Sequence, residues 1–371
     1  MPNRRRVVLG LSALSLAGCN LSVDAGSGTS RGAPGVAAVP NPGWTEWVAG
    51  FRSRAAARGI RQDVLAAAFR GAGYLPGVVE RDRNQTEFRR SFEDYLAIVA
   101  SEDRVQAGRA AFARQRDVLA AIERRWGVPP QIVAAIWGVE SRFGARRGDI
   151  PVVSATSTLA FDGRRGAFFE GQLLAAMRIL QAGDVTPDRM VGSWAGAMGH
   201  TQFIPTSYLQ SAVDFTGDGR RDIWSEDPTD ALASTAAYLA GAGWRRGALW
   251  SREAENGLRP DAGGPAFAMG PNFRVIKRYN NSDNYALAVG YLADRIAGGG
   301  PLRQGFGPDR FGLTLADRQA LQRGLSAAGF DAGTPDGVLG DRTRQAIAAY
   351  QQRNGLSATG EPSRALLERL S

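Results

Sequence analysis

Two stretches rich in glycine and proline, residues 21–43 and 298–307, break the 371-residue chain and limit what it can fold into. Such composition buries little apolar surface and reads as connecting chain. Between the two breaks the pattern is helical. Runs such as residues 64–69 and 117–126 set apolar side chains three and four apart, and strand signals are sparse. After the second break a length of roughly 60 residues remains, enough for one compact module. The chain is therefore expected to be mainly α, with a segment at 1–19, a tether at 20–43, a large helical body at 44–298, a linker at 299–311 and a small module at 312–371.

The first residues bear on the compartment. Arg4, Arg5 and Arg6 precede an apolar run at residues 7–17, a charged region followed by a hydrophobic one as in a secretory signal, and too short for an ordinary membrane span. The run ends Leu16-Ala17-Gly18-Cys19, which resembles the lipobox of bacterial lipoproteins and implies acylation of Cys19. Cys19 is the single cysteine, so no disulfide is available to it. The arginines also partly match a twin-arginine export signal. Asn20 lacks the aspartate associated with inner-membrane retention, which points to the outer membrane, facing the periplasm. The net charge of +9 favours an anionic partner. All but one of the 45 basic residues are arginine, spread without the long basic run of a nucleic-acid-binding tail, so nucleic acid is the weaker candidate.

Residues 129–144, PPQIVAAIWGVESRFG, begin with prolines suited to a first helical turn and end in glycine. Ile132, Ile136, Glu140 and Phe143 follow at intervals of a helical stripe, which puts a carboxylate among large apolar side chains. Burial disfavours the charged form of a carboxyl, and that is how a glutamate can hold a proton near neutral pH as a general acid. Taken alone, the helix fits at least as well a glutamate at the stripe's edge paired with Arg142 or Arg146.

Further segments change that balance. Gly138-Val139-Glu140-Ser141-Arg142-Phe143-Gly144 resembles the catalytic-glutamate motif of the membrane-bound lytic murein transglycosylase B family. Ser193-Trp194-Ala195-Gly196-Ala197-Met198-Gly199-His200-Thr201-Gln202-Phe203-Ile204-Pro205-Thr206-Ser207-Tyr208 resembles its second motif. Residues 230–244 and 278–289 resemble its later helices, in the same order. The resemblance implies a lysozyme-like helical fold, Glu140 as the acid/base, and a substrate cleft lined by Ser193, Gln202, Tyr238, Tyr279 and Tyr285, although each of these could instead be structural.

It also implies a reaction that one carboxyl group can run. The C6 hydroxyl of N-acetylmuramic acid replaces water as nucleophile, giving a 1,6-anhydro product without a cofactor. Asp214, Asp218 and Asp222 are possible second carboxylates for a hydrolase, but they crowd one glycine-containing loop.

That loop, residues 214–222, carries oxygen side chains at alternate positions and glycine at the sixth, as calcium loops do. Ser225 stands where an EF-hand places glutamate. The resemblance implies a shortened loop with ligands at Asp214, Thr216, Asp218, the Arg220 carbonyl and Asp230, and a stabilising role. The alternative is a hydrogen-bonded Asp/Gly turn without metal. His200 is the single histidine, which excludes a histidine-rich zinc site, and it is read as a motif residue of no fixed role.

The C-terminal stretch alternates apolar helical spacing with glycine turns, with Asp341 placed to cap a helix. It resembles the type 1 peptidoglycan-binding domain, a three-helix unit. The expected function is therefore a lipid-anchored, monomeric enzyme that cleaves glycan strands of peptidoglycan. The alternatives are a muramidase that uses water and a non-catalytic lipoprotein tethered to the wall.

Overall fold

Helix-start signals recur along the chain, and the computed structural model, which describes residues 36–84 and 90–370, is built almost wholly of helices. Cys19 and the signal segment lie outside the described residues. In order these are α1 (Pro42–Ala56), α2 (Gln62–Phe69), α3 (Pro76–Arg83), α4 (Phe92–Val99), α5 (Glu102–Arg114), α6 (Arg116–Trp126), α7 (Pro130–Ser141), α8 (Val152–Asp162) and α9 (Gly166–Ala182), then α10 (Pro205–Ser211), α11 (Thr229–Gly241), α12 (Phe273–Tyr279), α13 (Asp283–Ile296), α14 (Leu315–Ala327), α15 (Asp341–Arg353) and α16 (Arg364–Leu370). Two short antiparallel ladders, β1 (Ile150–Pro151) with β2 (Val191–Gly192) and β3 (Ser251–Ala254) with β4 (Ala266–Met269), close loops between helices. The expected helical body followed by a small helical module is what the chain forms. Residues 39–43 are part of that body: Val39 donates to the Tyr74 carbonyl, and α1 already begins at Pro42.

The helix carrying Glu140 is the axis of the body. Every residue of α7 from Ile132 to Ser141 is buried, and the helix packs against α5, α6, α11 and α13. An apolar helix of this kind needs no amphipathic face, because it is enclosed on all sides. Proline opens it at the first turn, where the missing N–H would have been an orphan in any case.

Its end departs from expectation. The spacing predicts a helix through Gly144 with Phe143 on the stripe, but α7 stops at Ser141 and Arg142 caps it at φ 53. Phe143, also at positive φ, folds back so that its ring covers Gly138. A Cβ at Gly138 would lie 2.5 Å from that ring, so the absent side chain is what permits the reversal.

The C-terminal module packs α14, α15 and α16 around Leu313, Leu321, Leu325, Ile347, Leu366 and Leu367. Thr314 and Asp317 form a reciprocal capping box at α14. Asp341 is the first residue of α15 rather than its cap, and makes no capping bond there; its charge acts on the helix dipole instead.

One buried side chain joins module to body. Arg318, 3% exposed, donates to Glu93 Oε2 at 2.6 Å and to Asp94 Oδ1 at 3.2 Å on α4, and also to Asp309 and the Gly337 carbonyl. Cavities of about 670 and 500 Å³ flank the seam.

Candidate functional site

Glu140 lies on the last turn of α7, 6% exposed. The packing of α13 against α7 brings the Tyr285 hydroxyl to its Oε1, where it donates a hydrogen bond of 2.6 Å across 145 residues of sequence. Tyr285 is itself buried at the first turn of α13, whose N-cap Ser282 accepts from the Tyr285 amide. A phenol donating to a carboxylate favours the charged form, and burial opposes it, so the two influences meet on one group.

A cluster of aromatic rings adjoins this pair. Tyr279 and Tyr238 stand edge to face at 5.1 Å, and both pack on Phe203. The Tyr279 hydroxyl end is desolvated and lies in the field of Glu140, and both effects, burial first, hold its phenol well above the usual tyrosine range. It donates to the Thr201 carbonyl at 2.6 Å, while Tyr238 donates to the Arg278 carbonyl at 2.6 Å. Burial likewise raises Tyr238. Both tyrosines therefore act near neutral pH as hydroxyls with a lone pair to offer, not as phenolates.

The second motif is a backbone knot. Gly192 pairs with Met198, which pairs with Phe203, and the Ser193 amide donates to the Ala197 carbonyl. Ser193 Oγ accepts from the Ala197 amide at 3.1 Å. Gln202, at φ 55, turns its Nε2 onto the Arg147 and Gly199 carbonyls, both at 2.9 Å. Gly199 is required here, since a Cβ would lie 2.3 Å from the Ile223 carbonyl oxygen. Of the cleft residues expected from sequence, the structure sets Tyr285 on Glu140 and Tyr279 in its field. Ser193, Gln202 and Tyr238 are seen holding backbone in place around them.

His200 has a definite place that sequence reading missed. Its ring accepts at Nδ1 from Trp137 Nε1 at 3.1 Å, and its Nε2 faces the Ser225 carbonyl at 2.7 Å. A lone histidine inside a long small-residue motif was the available signal, but its partners come from distant segments.

The acidic loop is closed by hydrogen bonds. Asp214 accepts from the Gly217 and Gly219 amides and from Thr216 Oγ1, and Asp218 accepts from the Arg220 amide. Asp230, 2% exposed, accepts from the amides of Phe215, Thr216 and Asp222, and burial raises its carboxyl above the ordinary value. The available donors are all oxygen, which suits a hard cation. Among the described residues, however, no three acidic, histidine or cysteine side chains gather round one point.

Residues 43–261 and 257–294 match the Transglycosylase SLT domain family. The chain belongs to that family. Residues 314–370 match the peptidoglycan binding domain family. Among curated relatives of this transglycosylase SLT chain, membrane-bound lytic murein transglycosylase B of Escherichia coli (strain K12) is 34% identical over 234 residues. The match covers 53% of this chain and 64% of the relative, so the chain spans less than two thirds of that protein. Among solved structures, SltB3 of Pseudomonas aeruginosa in complex with NAG-NAM-pentapeptide is 42% identical, with a TM-score of 0.69, covering 89% of this chain and 100% of that one. SltB3 has also been solved with NAG-anhNAM-pentapeptide. The Escherichia coli lytic transglycosylase Slt35 in complex with calcium is 29% identical, with a TM-score of 0.58, over 69% of this chain and 93% of that one. The mainly helical, lysozyme-like body is thus that of the transglycosylase family, and the C-terminal module is a unit of the peptidoglycan binding domain family.

Proposed function

We propose that the chain is a lytic transglycosylase that cleaves the MurNAc–GlcNAc β-1,4 bond of peptidoglycan and leaves 1,6-anhydro-MurNAc ends. The observation that carries this reading is a buried glutamate, Glu140, in the family's motif, with a tyrosine hydroxyl donating to it at 2.6 Å. Three other acids are buried among the described residues, and each is committed elsewhere: Asp82 to Arg164 and Arg165, Asp184 to Arg221, Asp230 to three amides. That supports chemistry run by one carboxyl group.

In this mechanism Glu140, protonated, gives its proton to the glycosidic oxygen as the bond to C1 breaks. The resulting carboxylate then takes the proton of the C6 hydroxyl as that oxygen attacks C1 of the same sugar. The nucleophile is already part of the bound substrate, so no water need be recruited and positioned. Tyr285 holds the carboxyl in place. Ser193, Gln202, Tyr238 and Tyr279 are proposed to meet the sugar rings with the hydrogen-bonding capacity their backbone contacts leave.

The C-terminal module is proposed to bind the glycan of the wall, and Cys19 to carry the lipid that holds the enzyme at the outer membrane, facing the periplasm. The curated relative is described as membrane-bound, and among the described residues no helix is long and apolar enough to cross a membrane. A calcium ion on Asp214, Thr216, Asp218, the Arg220 carbonyl and Asp230 is proposed as a structural ligand that takes no part in the chemistry. The calcium complex of Slt35 supports it.

The test is mass spectrometry of peptidoglycan digested by the protein and by a Glu140→Gln variant. Anhydro-muropeptides that disappear with the substitution are expected. Reducing ends would point to a muramidase, and intact wall bound by a folded protein would point to a tether.

A further inference from the structure

We propose that His200 is a positioning residue for the transglycosylase reaction. As a neutral imidazole carrying its proton on Nε2, it ties the end of the helix bearing Glu140 to the turn at Ser225, and the site is competent only while that tautomer lasts. The proposal rests on the functional reading above.

The tautomer follows from its partners. Trp137 Nε1 can only donate, so Nδ1, 3.1 Å away, must present its lone pair. The ring proton is then on Nε2 and donates to the Ser225 carbonyl at 2.7 Å. Arg147 Nη1 donates to the same carbonyl at 2.7 Å and stands 3.3 Å from Nε2, so two donors share one acceptor.

These contacts converge on the turn after Glu140. Ser141 Oγ donates to the His200 carbonyl at 2.5 Å and accepts from the Gly144 amide at 2.9 Å. The imidazole lies against Gly144 so closely that a Cβ there would sit 2.7 Å from it. Trp137 stands edge to face with both His200 and Phe143, and Phe143 covers Gly138. The imidazole thus braces the reversed chain from Ser141 to Gly144 and, through Trp137, the turn of α7 below Glu140.

Protonation would put a second donor at Nδ1, facing the indole N–H. The charged groups facing the ring are Arg147, Glu226 and Asp227. Burial, with Arg147 adding to it, keeps the imidazole below its ordinary value of 6.5 against the opposing pull of the Ser225 carbonyl and the two acids. A histidine depressed in the folded state contributes stability above its unfolded value and loses it as the pH falls through the folded one. The brace is therefore intact at neutral pH and opens on acidification.

His200 is the single histidine of the chain, so its ring nitrogens can be followed in the intact protein by ¹⁵N-detected NMR without assignment. The expected result is an Nε2–H tautomer at neutral pH that titrates below 6.5, with the acid limb of kcat on peptidoglycan at the same midpoint. His200→Gln, which can also present an acceptor and a donor, should keep the neutral-pH kcat and lose that limb. His200→Ala should lower kcat on the order of ten- to a hundredfold with little change in KM, under conditions where melting curves show it folded. Should the alanine variant not fold, the wild-type titration and the glutamine variant decide. An Nδ1–H tautomer, a cationic ring at neutral pH, or an unchanged acid limb in His200→Gln would overturn the proposal. Wall left uncut by the wild type would instead remove the functional reading, while NMR still judges the tautomer.

Discussion

At the scale of single residues, Glu140 is proposed to carry the chemistry and Tyr285, which donates to its Oε1, to orient it. Glu140→Gln keeps the volume and an acceptor for Tyr285, so kcat should fall about 10²- to 10⁴-fold while the melting temperature hardly moves. Tyr285→Phe removes the 2.6 Å bond and should lower kcat on the order of tenfold, read beside Glu140→Gln in the same digest. Glu140 could be found from sequence because its neighbours repeat a long motif and its stripe is apolar. Its partner Tyr285 could be named but not placed, since the bond spans 145 residues. His200 stands out as a motif residue but its partners are not legible, because Trp137 lies 63 residues before it and Ser225 25 after.

At the scale of elements, helical spacing located α7 but not its end. Periodicity cannot register a chain that reverses over Gly138, so helical spacing sets Phe143 on the stripe although its ring lies back over that glycine. Gly138→Ala would drive a methyl into the Phe143 ring and should destabilise the body by about 1–3 kcal/mol, measurable by urea unfolding. The acidic loop makes a parallel case. Its spacing suggested calcium, whereas the contacts show Asp230 already closing it with three amide bonds. Asp230→Ala orphans three donors and should cost about 3 kcal/mol or more. Calcium in hundredfold excess over its Kd should raise stability by about 2.7 kcal/mol in the wild type. A melting temperature indifferent to calcium and chelator would remove the ion from the account.

At the scale of the whole molecule, two helical units were legible from the glycine-rich breaks, but their mutual arrangement was not. Arg318 meets Glu93 across 225 residues, and no local pattern announces such a pair. Arg318→Ala would take the shared cation from three partly exposed carboxylates and should weaken the seam by about 1–3 kcal/mol, separating one calorimetric transition into two. Burial raises the carboxyls of Glu93 and Asp94 despite the guanidinium. Groups raised in this way give their full stability below the unfolded values and lose it as the pH rises through the folded ones, so the seam should hold better in mild acid. Residues 302–306 do not swing free either: the Arg303 amide donates to Glu253, and Phe306 packs on Phe92.

A module pinned by a buried guanidinium and a packed connector is a gauge rather than a leash. Where a slack linker would let the module wander over many distances from the body, this joint sets one separation and one bearing. In an enzyme of the proposed kind, the spacing between the gripped stretch of glycan and the cut would then be a property of the fold, with Arg318 as the rivet that sets it.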